Sequence, residues 1–147
     1  MVKVGIESND EVSMKDVRRF TIEQDKQVHR IRTLEQLGIM VTCFYIFGLP
    51  EDDVESCIRT IEYAKSINSH GAQFSVFTPL PGTPVYKEYE DQITASSFEE
   101  FTLYQLVFKH KNISSDQMRM IMSHAYSEYY TNPKWVIKGM RKFISNH

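Results

Sequence analysis

Apolar and polar positions alternate between two rhythms along this chain. Val2 to Ile6 is a short apolar run closed by the polar cluster Glu7-Ser8-Asn9-Asp10, the pattern of a strand running into a loop. Thr21 and Gln24 stand at capping-box spacing, Val28, Ile31, Leu34 and Leu37 then recur at helical spacing, and Gly38 is placed to stop the helix. Ile39 to Phe47 is almost wholly apolar and rich in β-branched and aromatic residues, which predicts a central parallel strand covered on both faces. After Gly48-Leu49-Pro50, the acidic group Glu51-Asp52-Asp53 opens a second helix whose Val54, Ile58, Ile61 and Ala64 share a face. Ala72 to Phe77 predicts a third strand, closed by Thr78-Pro79.

The order strand, helix, strand, helix, strand implies right-handed crossovers and a parallel sheet, so the class is α/β. Ligands in such folds gather at the carboxyl ends of the strands, whether the sheet is open or closed into a barrel. Those ends are Glu7-Ser8, Gly48 to Glu51, and Thr78-Pro79.

The second part of the chain changes character. Leu80 to Pro84 is turn-rich, and Val85 to Phe108 reads as irregular with short helical pieces. Ser114 and Gln117 form another capping box ahead of Met118, Ile121, Met122, Ala125 and Tyr129 on one face. Asn132 and Pro133 stop that helix and start another, whose Val136, Ile137, Met140, Phe143 and Ile144 form an apolar side. Two regions are expected: residues 1–84 carry the strand-helix units, and residues 85–147 carry an irregular connection and helices that pack on them.

Composition narrows the chemistry. A chain of 147 residues suits one ordinary core, and 17 Lys and Arg against 19 Asp and Glu give a net charge of −2, which offers no general attraction for nucleic acid. Lys134, Lys138, Arg141 and Lys142 form a basic stripe that reads as the solvated face of the last helix. Cys43 and Cys57 are too few for a structural zinc or a self-contained iron–sulfur site and read as buried thiols. The five histidines show no metal spacing, and neither G-x-S-x-G nor a phosphate-binding glycine loop occurs. No apolar run reaches the length of a membrane span, and a cytoplasmic, reduced chain is expected.

At the strand ends the sequence becomes more specific. Gly5-Ile6-Glu7-Ser8, Thr21-Ile22-Glu23-Gln24, the run Phe44 to Pro50, and the run Gln73 to Pro84 follow in one order at compatible spacings. Together they resemble the C-terminal half of radical S-adenosylmethionine enzymes, in the branch whose members often carry an N-terminal cobalamin-binding domain. Val107 to Ser114 and Tyr126 to Pro133 resemble the C-terminal extension of that branch.

The resemblance implies a partial (β/α) barrel of about three βα units, here the family's fourth to sixth strands, followed by a C-terminal helical extension. It implies S-adenosylmethionine as cofactor, with a four-iron four-sulfur cluster and cobalamin in a complete relative. It places Glu7 and Ser8 near the ribose and methionine parts of the cofactor, and Ile46 and Gly48 at its adenine. Glu51 or Asp52 matches the carboxylate that follows the second of these strands. The sequence departs from the pattern at Asn9-Asp10, where a Gly-Ser pair is common, at Cys43, where glycine is common, and at Glu51-Asp52-Asp53, which replaces Gly-Glu-Thr. The cluster-binding C-x-x-x-C-x-x-C motif does not occur in it. The expected partner is therefore a missing N-terminal half, or a second copy joined through the open edge of the first strand, and the chain alone is expected to be inactive. The alternative is a non-catalytic α/β binding module that kept the scaffold.

Overall fold

Strand β2 (Val41–Phe47) lies between β1 (Val2–Glu7) and β3 (Gly71–Val76), and all three run parallel. This arrangement comes from a computed structural model, which describes residues 1–8 and 24–145. Asn9, Asp10 and the Thr21 cap lie outside the described residues. The sheet is open, and its strands alternate with helices α1 (Gln24–Gln36) and α2 (Val54–Ile67). A short α3 (Pro84–Tyr89) and two single 3₁₀ turns follow, then α4 (Ser115–Tyr130) and α5 (Pro133–Ser145).

Strands that sit side by side in chain order require both crossovers to step the same way. Right-handed connections then lay both helices on one face. The burial of β2 records this: Val41, Cys43, Tyr45 and Phe47 are buried, while Thr42, Phe44 and Ile46 between them are only half-buried. The expected cover on both faces is thus corrected to cover on one. The all-apolar run misled because Phe44 and Ile46 face away from the helices.

On the covered face the core joins Cys43, Tyr45 and Phe47 to Ala72, Phe74 and Val76, and to Cys57, Ile61 and Ala64 of α2. Helix α2 starts at an Asp53 cap, with Asp53 and Ser56 bonding reciprocally as a capping box. Helix α4 starts in the same way at Ser114 and Gln117. Its Met118, Ile121, Met122, Ala125 and Tyr129 are all buried, as their spacing predicts, and it packs on α2 and β3.

The outer edge of β3 is closed by side chains rather than by a strand. Tyr126 and Tyr130 bond to the backbones of Phe74 and Ala72, and the Val76 N–H donates to Leu103 O.

Helix α5 turns Trp135 and Lys138 inward. Lys138 reaches Glu35 on α1 and the Asn68 carbonyl at the end of α2, and the Trp135 indole N–H donates to His70 O. Val136, Ile137, Met140 and Ile144 are exposed.

Candidate functional site

Glu7 ends β1 with φ at +70°, a left-handed conformation that costs an L-residue about 1–2 kcal/mol. The twist folds its carboxylate back over the strand: a Cβ placed on Gly5 would lie 2.6 Å from Glu7 Oε1. Gly5 pairs in register with Phe44, so the carboxylate stands over the face that the helices leave uncovered. A glycine two residues earlier is what makes room for it.

Ser8 goes the other way. It is buried, with its Oγ 3.4 Å from Thr60 Oγ1 on α2. Alternation along a strand sends successive side chains to opposite faces, and the structure therefore separates the expected Glu7-Ser8 pair.

Ile46 lies on the uncovered face, paired with Ser75 of β3. Its neighbours on that face are Phe44, Thr42 and Gln73, and the Lys3 ammonium sits 5.7 Å from the Phe44 ring centroid. The result is a half-exposed surface in which Phe44 and Ile46 lie among the polar Thr42, Gln73 and Ser75, flanked by one carboxylate and one ammonium. It suits a ligand with a planar apolar part and a charged part.

Gly48 has φ at +74°, which only glycine adopts without strain. Its missing side chain points at protein: a Cβ there would lie 2.9 Å from Met118 Cε and 3.5 Å from Leu106 Cδ2. The glycine lets the turn close down on α4 and the segment before it.

The two candidate carboxylates of this turn are now distinct. Asp52 is 2% exposed and accepts hydrogen bonds from the Leu49 N–H and the Ser56 hydroxyl, both at 3.0 Å. It holds the turn together. Glu51 is exposed at the surface and pairs with Lys111, at the mouth of a depression of about 280 Å³ that Tyr89, Phe108 and His110 also line. Glu51 and Asp52 therefore differ in what they can offer a ligand: Glu51 is within its reach, and Asp52 is a brace.

His110 stands at no metal spacing in the sequence, and in the structure it holds the turn after β2. Its Nδ1 accepts from the Asn112 and Ile113 N–H groups at 3.1 and 3.2 Å. The proton must then sit on Nε2, which donates to Leu49 O at 2.9 Å. Asn112 adds a bond from its side-chain amide to Asp52 O. The Val107 to Ser114 segment thus clamps the turn after β2. Its motif was visible in the sequence, but an isolated histidine at no metal spacing carried no signal.

Both cysteines are buried, free thiols. Burial pushes Cys57 up to about 12 and also raises Cys43, so neither supplies a thiolate at neutral pH. No group of three metal-ligating side chains gathers among the described residues. No described helix is long and apolar enough to cross a membrane.

Comparison with known proteins finds distant sequence similarity to methyltransferases and a cyclase. The chain is 28% identical over 122 residues to an uncharacterized methyltransferase of Pyrococcus horikoshii, covering 81% of this chain and 26% of that protein. It is 21% identical over 118 residues to the bacteriochlorophyllide d C-12(1)-methyltransferase of Chlorobaculum tepidum, with 80% and 26% covered. It is 25% identical over 153 aligned positions to the anaerobic magnesium-protoporphyrin IX monomethyl ester cyclase of Rubrivivax gelatinosus, with 97% and 27% covered. The chain is distantly similar to all three. It spans about a quarter of the length of the curated relatives it matches. No family model matches the sequence.

Proposed function

We propose that this chain is the cofactor-orienting part of a radical S-adenosylmethionine enzyme of the cobalamin-associated branch. In this reading β1, β2 and β3 are the fourth to sixth strands of a partial barrel, and residues 85–147 are its C-terminal extension. The distant similarity to methyltransferases and a cyclase supports it. So does a sheet whose strands follow one another in chain order with one face left open, the local pattern of a barrel wall.

The observation that carries the reading is Glu7. A strained backbone at a strand end, kept with a carboxylate rather than relieved by glycine, points to a ligand-facing role. On the uncovered face, Glu7 would take the hydroxyls or ammonium of S-adenosylmethionine, and Ile46 with Phe44 would take the adenine plane. Gly48 acts by setting the turn after β2, Ser8 by tying β1 to α2, and Glu51 stands with Lys111 at the depression beside that turn.

The described residues do not suit an iron–sulfur cluster, since the two thiols are buried and no cluster of ligating side chains forms. The protein groups here bind and orient, and when the cofactor is bound to such a cluster its reductive cleavage supplies the reactive chemistry.

The test is titration of S-adenosylmethionine into the ¹⁵N-labelled chain, followed by amide chemical shifts. Shifts gathered at Glu7, Phe44, Ile46 and Ser75, and lost in Glu7→Gln, are expected. Shifts gathered at α5 or the α3 region would overturn the placement.

A further inference from the structure

Helix α5 is inside out. Val136, Ile137, Met140 and Ile144 are spaced by one, three and four residues, so they share one stripe. Their exposure is 41%, 49%, 60% and 71%. The side turned to the body carries Lys138 and Trp135, held by Glu35, Asn68 O and His70 O. An amphipathic helix that anchors itself through a lysine and an indole N–H leaves its apolar stripe for something else to cover.

One rim of the stripe is basic. Lys134 and Arg141, two turns apart, lie on the same side and join Arg32 of α1 and Lys138 around a pocket of about 380 Å³, with Ile137 and Ile67 on its apolar wall. Glu35 is the single carboxylate in that lining, and both Lys138 and His70 already engage it. Arg32, Lys134 and Arg141 have no ion pair among the described residues, in a chain whose net charge is −2. Three cations converging on one concavity repel one another, and an anionic partner relieves the repulsion.

We propose that the outer face of α5 and the pocket beside it dock an amphipathic helix of a partner protein, with an apolar stripe that covers Val136, Ile137, Met140 and Ile144 and a carboxylate rim that enters the basic pocket. Charge selects this occupant. A second copy of the chain brings another α5, which has no acidic residue between Pro133 and Ser145 and adds like charge. A lipid surface would favour cations on both rims and an indole at the headgroup level, whereas Trp135 is turned inward onto His70 O and Tyr130. A helix laid in a groove reads apolar anchors at one-turn spacing and polar groups along one side, which is the pattern here.

The probe is a pair of fluorescein-labelled synthetic helices of about 16 residues, alike in their leucine stripe and rimmed by glutamate in one and lysine in the other. Anisotropy on the full chain should show binding of the glutamate peptide alone, weakened by added salt. The affinity should fall at least about tenfold in Ile137→Ser/Met140→Ser and again in Arg141→Glu. These side chains are exposed, so circular dichroism should show the fold retained. Absence of binding, equal binding of both peptides, or indifference to the substitutions would overturn the proposal. It would also be overturned by Met140-dependent binding to phosphatidylglycerol-containing vesicles, or by Met140-dependent self-association in sedimentation, with the peptide ignored.

Discussion

The Tyr130 hydroxyl satisfies both backbone groups of Ala72, accepting from its N–H at 3.0 Å and donating to its C=O at 2.7 Å. Tyr126 does the same for Phe74, at 3.3 and 3.1 Å. The two tyrosines are four residues apart on α4, a rise of about 6 Å, while alternate residues of a strand advance about 6.6 Å. The helix therefore matches the repeat of the strand edge and replaces a neighbouring strand with two phenols. Edge strands need such protection, because their unpaired groups recruit other chains.

Removing these hydroxyls tests the seal. Tyr126→Phe and Tyr130→Phe should each cost about 1 kcal/mol in urea unfolding, and the double substitution more than either. The double variant should also sediment as larger species at high concentration, since it uncovers β3 without touching β1.

Glu7 should show a conflict between stability and binding. Glu7→Gly removes a left-handed penalty of about 1–2 kcal/mol and adds a chain-entropy cost of about 0.5–1 kcal/mol. The variant is therefore expected to be no less stable than the parent chain by thermal unfolding, while losing the amide response to S-adenosylmethionine.

Gly48 should tolerate nothing larger. Gly48→Ala combines positive φ with a methyl 2.9 Å from Met118 Cε, and should cost about 2 kcal/mol or more. Trimming Met118 should recover only the steric share, and comparing the two variants by urea unfolding separates the parts.

Cys57 sets an alkaline limit. Its thiol ionises near 9.0 when unfolded and is pushed up to about 12 by burial, so the folded state holds the proton more tightly. Stability from this group is complete below pH 9 and should decline progressively as pH rises from 9 towards 12. At pH 8 the native chain should resist a thiol-specific disulfide reagent, and labelling should accelerate only as urea opens the fold.

Much of the scaffold could be read from local rules. The three strands, the Ser114-Gln117 cap and the buried stripe of α4 follow from periodicity and capping chemistry, which act over one or two turns. The errors share one cause, since each depended on which side a segment turns. The run Val41 to Phe47 is apolar on both faces, but only one is covered, because that depends on where two crossovers run. The stripe of α5 reads as core-facing by pattern, yet Lys138 and Trp135 have stronger partners in the body. At the candidate site the strand-end rule points to the segments Glu7-Ser8 and Gly48 to Asp52 but cannot separate Glu7 from Ser8, or Glu51 from Asp52, because adjacent residues share sequence context and differ only in direction.

The clamp on the turn after β2 also gives this protein a timetable. Leu49 O waits for a histidine 61 positions downstream, and the Gly48 turn closes against Met118. A ribosome delivers residues in order, so all three strands can pair before the turn at the end of β2 acquires its final shape. The turn after β2 is thus among the last parts of the fold to mature, its final shape set by residues that leave the ribosome 61 or more positions later.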